Sequence, residues 1–255
     1  MDSPPSLLDP LLAVAVFAFI GAIAVVSIGG YMRRPHDLAQ VNASTILGRG
    51  IRGWYFENLV PFEEFCVRWK IDPAYLSYAQ LLGSLLVAVC YAKGMLTTAG
   101  WLLLFTGTLD IVDGRVARRT NGESARGAFL DSVIDRYSDA SAYLGLAVFF
   151  RDTWVLWAVL FGLIGGLIVS YARARGEGLG THCHVGLLQR PERYVILGFG
   201  TIFGSLVEHL TGPWLPGQHY SLVIFTIVFL AVLVNFTAVQ RVVHIWRALG
   251  EEAGA

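Results

Sequence analysis

Cysteine is scarce in this chain: there are three, Cys66, Cys90 and Cys183, in separate regions and at no paired spacing, which excludes a disulfide-stapled scaffold. Charge is also thin, at 15% Asp, Glu, Lys and Arg over 255 residues against 55% apolar residues, which excludes an ordinary soluble domain. The net charge is zero, and no feature points to nucleic acid. There is no internal repeat, low-complexity tract or second domain, so any function has to reside in one apolar body.

What the chain has in abundance is long apolar runs. Stretches able to cross about 30 Å of hydrocarbon as helices fall at roughly 8–31, 74–92, 96–116, 128–150, 153–174, 192–209 and 219–244. They are too long and too continuously apolar for barrel strands, so the expected class is an all-α integral membrane protein. The first run lacks preceding basic residues and a small-residue cleavage site, and is expected to be an uncleaved anchor.

Basic residues are missing from one side of these spans. With the N-terminus outside, only Lys93 and Arg151 of nineteen fall in outer loops, and the rest lie on or near the cytoplasmic side. Residues 32–73 form the long non-spanning segment, with Ile46, Ile51, Trp54, Tyr55, Leu59, Phe62, Phe65 and Trp69 at helical intervals among charges. That pattern predicts an interfacial amphipathic helix, kinked or divided at Pro61, before Asp72-Pro73 opens the next span. The expected organisation is an N-terminal anchor and linker at 1–45, the interfacial helix at 46–72, a six-helix core at 73–247 and a short polar tail at 248–255.

Chemistry concentrates between the third and fourth spans. Asp110 and Asp113 are three residues apart on one helix face, and Asp131 and Asp135 are four apart on the next, with a short link that makes the faces neighbours. Four carboxylates near membrane depth repel one another unless cations neutralise them. An all-oxygen ligand set calls for hard divalent ions, Mg2+ or Mn2+, and two ions would leave coordination positions for a substrate diphosphate. The plainer reading pairs these acids with Arg115, Arg118, Arg119 and Arg136. Gly114 and Gly127 leave room for a nucleotide or diphosphate beside the backbone, and Arg118 can meet a phosphate.

The run Asp-x2-Asp-Gly-x2-Ala-Arg-x8-Gly-x3-Asp-x3-Asp, at residues 110–135, resembles the signature of the CDP-alcohol phosphotransferase family at every fixed position. The resemblance extends from about Pro73 to Trp246 and leaves out the first span. It implies a six-helix core with its site at the cytoplasmic membrane boundary, two metal ions under the diphosphate, and a homodimer. Asp110, Asp113 and Asp131 resemble metal ligands. Asp135 resembles a base that also touches a metal and takes the acceptor hydroxyl's proton. Ser77 and Ser124 resemble hydroxyl positions around the cytidine nucleotide, and Ala74 departs from the Asn or Asp common after the proline.

The acceptor is read from Ser170–Arg175, Arg190-Pro-Glu-Arg193 and Val239–Trp246, each with arginine at a cytoplasmic helix end. Arg173, Arg193 and Arg241 could form a phosphate pocket, or could simply follow the positive-inside rule. These segments are similar to the phosphatidylinositol-phosphate synthase branch, which implies CDP-diacylglycerol and inositol 1-phosphate as substrates and phosphatidylinositol phosphate and CMP as products. Glycerol 3-phosphate is the alternative acceptor. An intramembrane prenyltransferase would show two separated aspartate-rich motifs, and a cation transporter would have no need of Gly114, Arg118 and Gly127 at these spacings. His182-Cys183-His184 has no fourth ligand nearby and is read as a loop without metal.

Overall fold

The computed structural model describes residues 8–29, 48–120, 122, 124–181, 183, 185–211 and 219–252. The linker after the first span, most of the 210–218 loop, and His182 and His184 lie outside the described residues. All regular structure among the described residues is helical: α1 Leu8–Gly29, α2 Gly48–Arg68, α3 Pro73–Ala92, α4 Leu96–Arg119, α5 Ala125–Phe149, α6 Val155–Glu177, α7 Arg190–Thr211 and α8 Ser221–Glu252. Three of them, α3, α6 and α8, are long and apolar enough to cross a membrane by length and composition. Helices α4, α5 and α7 carry the aspartates of the site described below and the arginines that hydrogen-bond to them.

Local chemistry sets the helix starts. Asp72 accepts the Ala74 amide at 2.9 Å and Pro73 occupies the first turn, so α3 begins where its missing N–H costs nothing. Ser124 caps α5 by accepting the Gly127 amide at 3.0 Å. The Glu192 carboxylate reaches back to the Gln189 amide at 2.5 Å and closes the first turn of α7. Helix α4 has no capping side chain of its own, and Asp9 of α1 supplies one: its carboxylate accepts the amides of Thr97 and Thr98 at 3.1 and 2.9 Å. The first helix is thus docked onto the start of α4, with Phe17 against Trp101 and Phe19 against Phe105.

Helix α2 runs through Pro61 as one helix, so of the expected kink or division the division does not occur. Pro61 is buried beside Leu59, Val60 and Cys66, and this packed face holds the helix together across the one missing backbone hydrogen bond. Glu63, 1% exposed, pairs with Arg115 and, at 3.5 Å, with Arg119, while Tyr55 shares a 2.6 Å hydrogen bond with Thr108. Both contacts dock α2 on α4.

The other six helices close into a ring, each packing on two neighbours in the order α3, α4, α7, α8, α6, α5 and back to α3. Lipid offers apolar side chains no gain from mutual burial, so close backbone approach at small residues has to hold such a ring. A Cβ on Gly145 would lie 2.4 Å from the Ala88 carbonyl oxygen, and one on Gly198 2.8 Å from the Leu104 side chain. Gly200 and Gly204 accommodate Thr226 and Val223 of α8 in the same way. The core runs through Tyr91, Leu103, Leu146, Phe150, Val159 and Leu230, and Tyr91 is tied to Thr201 across it at 3.1 Å. Large apolar side chains such as Leu82, Trp157, Phe161, Phe225 and Phe236 point outward.

Candidate active site

Inside the ring, α3, α4, α5 and α7 bring acidic and basic side chains to one place. Asp110, Asp131 and Asp135 each offer a carboxylate oxygen within 4.8 Å of the others, as the helical spacings predict. Asp113 is set deeper, 2% exposed, and accepts the Ser77 hydroxyl at 2.6 Å and the Gly114 amide at 2.5 Å. It stands outside the three-carboxylate group.

Of the arginines expected to neutralise these acids, Arg136 donates to the Ser132 carbonyl on α5 and its charge bears on Asp131, while the other three are engaged elsewhere or exposed. Arg115 and Arg119 serve Glu63 and Glu64 on α2, and Arg118 is exposed. The partner comes instead from α7. Arg190 donates through Nη1 to Asp110 and Asp135, each at 2.6 Å, through Nε to Asp139 at 3.0 Å and through Nη2 to the Tyr194 hydroxyl at 3.1 Å. From α3, Gln80 donates to Asp110 at 3.2 Å and Asp135 at 3.4 Å.

The guanidiniums of Arg190 and Arg136 cannot balance four carboxylates, and Asp131 Oδ1 is buried with no hydrogen-bond partner among the described residues. An oxygen-only set with an orphaned, buried acceptor suits a hard divalent cation, and these residues fit one.

The basic residues named for the acceptor differ in state. Arg193, 4% exposed, donates from Nη2 to Asp139 at 3.0 Å, while its Nε and Nη1 are buried without a partner. Arg241 is buried and donates to the carbonyls of Val185 and Val169 at 2.9 and 3.0 Å. Arg173 is exposed and pairs with Glu177 one turn on, at 2.8 Å. The charges of Arg173 and Arg193 both bear on Arg241, so the three lie in one electrostatic neighbourhood. Of the donor-side residues, Ser77 is turned to Asp113, Ser124 serves as the α5 cap, and a Cβ on Gly114 would lie 3.6 Å from the nearest Arg118 nitrogen.

Gln80, Asp139, Arg190 and Tyr194 were not singled out as site residues by the sequence reading. Three carried a signal: Gln80 is a polar residue inside an apolar span, Asp139 continues the four-residue row of Asp131 and Asp135, and Arg190 opens the Arg-Pro-Glu-Arg run. Tyr194 carried none.

Residues 71–246, most of the chain, match the profile of the CDP-alcohol phosphatidyltransferase family. The protein belongs to that family. It is a transferase of phospholipid biosynthesis, which decides against a transporter or a prenyltransferase. The archaetidylinositol phosphate synthase of Methanothermobacter thermautotrophicus is 37% identical over 182 residues, covering 71% of this chain and 87% of that one. The phosphatidylinositol phosphate synthase of Cutibacterium acnes is 31% identical over 206 residues, covering 77% and 95%. Crystal structures of the Mycobacterium tuberculosis phosphatidylinositol phosphate synthase superpose on the fold. The one with CDP-DAG bound has a TM-score of 0.63 at 28% identity, covering 73% of this chain and 92% of that one. The one in complex with manganese and citrate has a TM-score of 0.63 at 27% identity, covering 73% and 88%.

Proposed function

We propose that this enzyme transfers the phosphatidyl group of CDP-diacylglycerol to a hydroxyl of inositol 1-phosphate, giving phosphatidylinositol phosphate and CMP. The observation that carries the acceptor is Arg193: a buried guanidinium with Nε and Nη1 unpartnered is costly unless an anion meets it, and a phosphorylated alcohol supplies one. Arg241, on which the charges of both Arg193 and Arg173 bear, adds positive charge to the pocket. The synthases of Methanothermobacter and Cutibacterium, named for inositol phosphate products, support the same reading.

Asp135 is the group assigned to the acceptor hydroxyl. It takes the hydroxyl proton as the oxygen bonds to the lipid-side phosphorus, the bond from that phosphorus to the bridging oxygen breaks, and CMP leaves with that oxygen. Two divalent ions, Mg2+ or Mn2+, held by Asp110, Asp113, Asp131 and Asp135, would supply charge neutralisation for the donor diphosphate. Ser77 holds Asp113 in place. Gly114, Arg118, Ser124 and Gly127, around the α4–α5 link, are assigned to the CDP end of the donor. We further infer a cell-membrane protein with its N-terminus outside and its site at the cytoplasmic face, because the basic residues gather at that end of the helices. The core at 73–247 is inferred to work as a homodimer, with 1–45 as anchor and linker, 46–72 at the interface and 248–255 as a tail.

The test is an acceptor screen with CDP-diacylglycerol, following both CMP release and the lipid product. Inositol 1-phosphate should exceed free inositol, serine, choline and glycerol 3-phosphate. Arg193→Ala should raise the acceptor's KM by about ten- to hundredfold, the worth of a charge-assisted phosphate contact, and leave the donor's nearly unchanged. Equal turnover of free inositol would overturn the assignment, as would an Arg193→Ala defect confined to the donor.

A further inference from the structure

Asp139 stands one helical turn beyond Asp135 on α5, is 7% exposed, and uses its two oxygens for two different arginines. Oδ1 accepts from Arg190 Nε and Oδ2 from Arg193 Nη2, both at 3.0 Å. The two arginines depend on it unequally. Arg190 is also held by Asp110, Asp135 and the Tyr194 hydroxyl, and its guanidinium lies 5.0 Å from the Tyr194 ring centroid. For the Arg193 side chain, Asp139 is the single hydrogen-bond partner among the described residues, and Nε and Nη1 remain unspent. Space for that end of Arg193 comes from Gly166 on α6, where a Cβ would lie 2.6 Å from Nη1.

We propose that Asp139 is a positioning residue: by holding Nη2 of Arg193 it fixes the plane of the guanidinium, so that the unspent donors meet the acceptor's phosphate in a set orientation. A planar guanidinium anchored through one nitrogen keeps its remaining donors in a set orientation, whereas an unanchored one must be ordered by the ligand itself. The carboxylate also keeps Arg193 and Arg190 apart in function, one toward the acceptor and one on the aspartates. Asparagine at 139 has a single acceptor oxygen and cannot serve both arginines, and its amide donors oppose theirs. The loss falls on Arg193, because Arg190 keeps its other partners.

This inference rests on the phosphorylated-acceptor reading above, and its test separates the two. Asp139→Asn, Arg193→Gln and the double variant are assayed with CDP-diacylglycerol and inositol 1-phosphate, alongside Mn2+ half-saturation and thermal unfolding in detergent. Asp139→Asn should raise the acceptor's KM roughly tenfold and leave the donor's KM and the Mn2+ requirement within about twofold, while the double variant should be no worse than Arg193→Gln alone, since a residue acting through another is not additive with it. Asp139→Glu, which keeps the charge on a longer stem, should give a smaller rise in acceptor KM and the same lack of additivity, and it serves if the asparagine variant does not fold. Should the two effects multiply, or should Asp139→Asn leave the acceptor's KM unchanged while Arg193→Gln raises it, the positioning role is wrong and the phosphate pocket stands. If Arg193→Gln itself leaves the acceptor's KM unchanged, the pocket reading fails and this inference with it.

Discussion

Ser77 donates its hydroxyl to Asp113 Oδ2 at 2.6 Å, from a helix thirty-six residues earlier in the chain, and both residues are buried. The contact orients a carboxylate that stands apart from the three clustered ones. Groups that hold a metal ligand in place are worth roughly 10–100-fold in metal affinity or activity. Ser77→Ala should therefore raise the Mn2+ concentration for half-maximal activity by about tenfold and weaken direct Mn2+ binding in parallel. An unchanged Mn2+ titration would show that Asp113 is oriented without Ser77.

Asp135 and Asp131 should respond differently to the same change. Asp135→Asn removes the assigned base but only part of the carboxylate set, so turnover should fall by at least about a hundredfold while CDP-diacylglycerol binding largely survives. Asp131→Asn instead removes the buried, unpartnered oxygen and should weaken Mn2+ and donor binding together. Near-normal turnover of Asp135→Asn would remove the base assignment.

Periodicity and hydropathy made the helices legible to within about four residues except at the end of α8, which runs eight residues past the expected 244, and the grouping of Asp110, Asp131 and Asp135 was legible because their spacings put them on facing helix ends. The charge partner was not. Arg136, next to Asp135 in sequence, does bear on Asp131, but α2 draws Arg115 and Arg119 away through Glu63 and Glu64, and the guanidinium that hydrogen-bonds the acids, Arg190, arrives from eighty residues beyond Asp110. Only the ring order, which sets α7 beside α4, brings it there. Arg173, Arg193 and Arg241 look equivalent as arginines at helix ends, but among the described residues it is Arg193 whose fully buried donor atoms lack a partner. Pro61 misled for a related reason, since tertiary packing of α2 outweighs the local preference of proline to break a helix.

Glu63 holds α2 against the signature helix, and its loss should be felt there first. Glu63→Gln keeps the shape and removes the charge that serves Arg115 and Arg119, which should cost about 1.5–3 kcal/mol as lost hydrogen bonds to a charged group. The expected result is a lower melting temperature in detergent and early proteolytic cleavage within 48–68. Exchanging the charges, with Glu63→Arg and Arg115→Glu together, should restore part of the loss. A protease pattern identical to that of the unaltered protein would mean that α2 is held by its apolar face alone.

Two glycines separate the demands of the fold from those of the site. A Cβ on Gly145 would lie 2.4 Å from the Ala88 carbonyl oxygen and 2.7 Å from its Cα, both backbone atoms of α3 that cannot yield without parting two helices of the ring. Gly145→Ala should therefore destabilise by about 1–3 kcal/mol or more, lower the yield in detergent and reduce activity with every substrate. A Cβ on Gly166 meets only the tip of Arg193, with Nη1 at 2.6 Å and Cζ at 3.9 Å, and a side-chain tip can rotate aside. Gly166→Ala should melt near the parent temperature and show its defect in the acceptor's KM, because the displaced group is the one assigned to the phosphate. Measuring melting temperature and both KM values on the two variants checks this contrast. An equal loss of stability would place Gly166 among the packing glycines, and an unchanged acceptor KM in a well-folded Gly166→Ala would mean that the phosphate is bound away from Arg193.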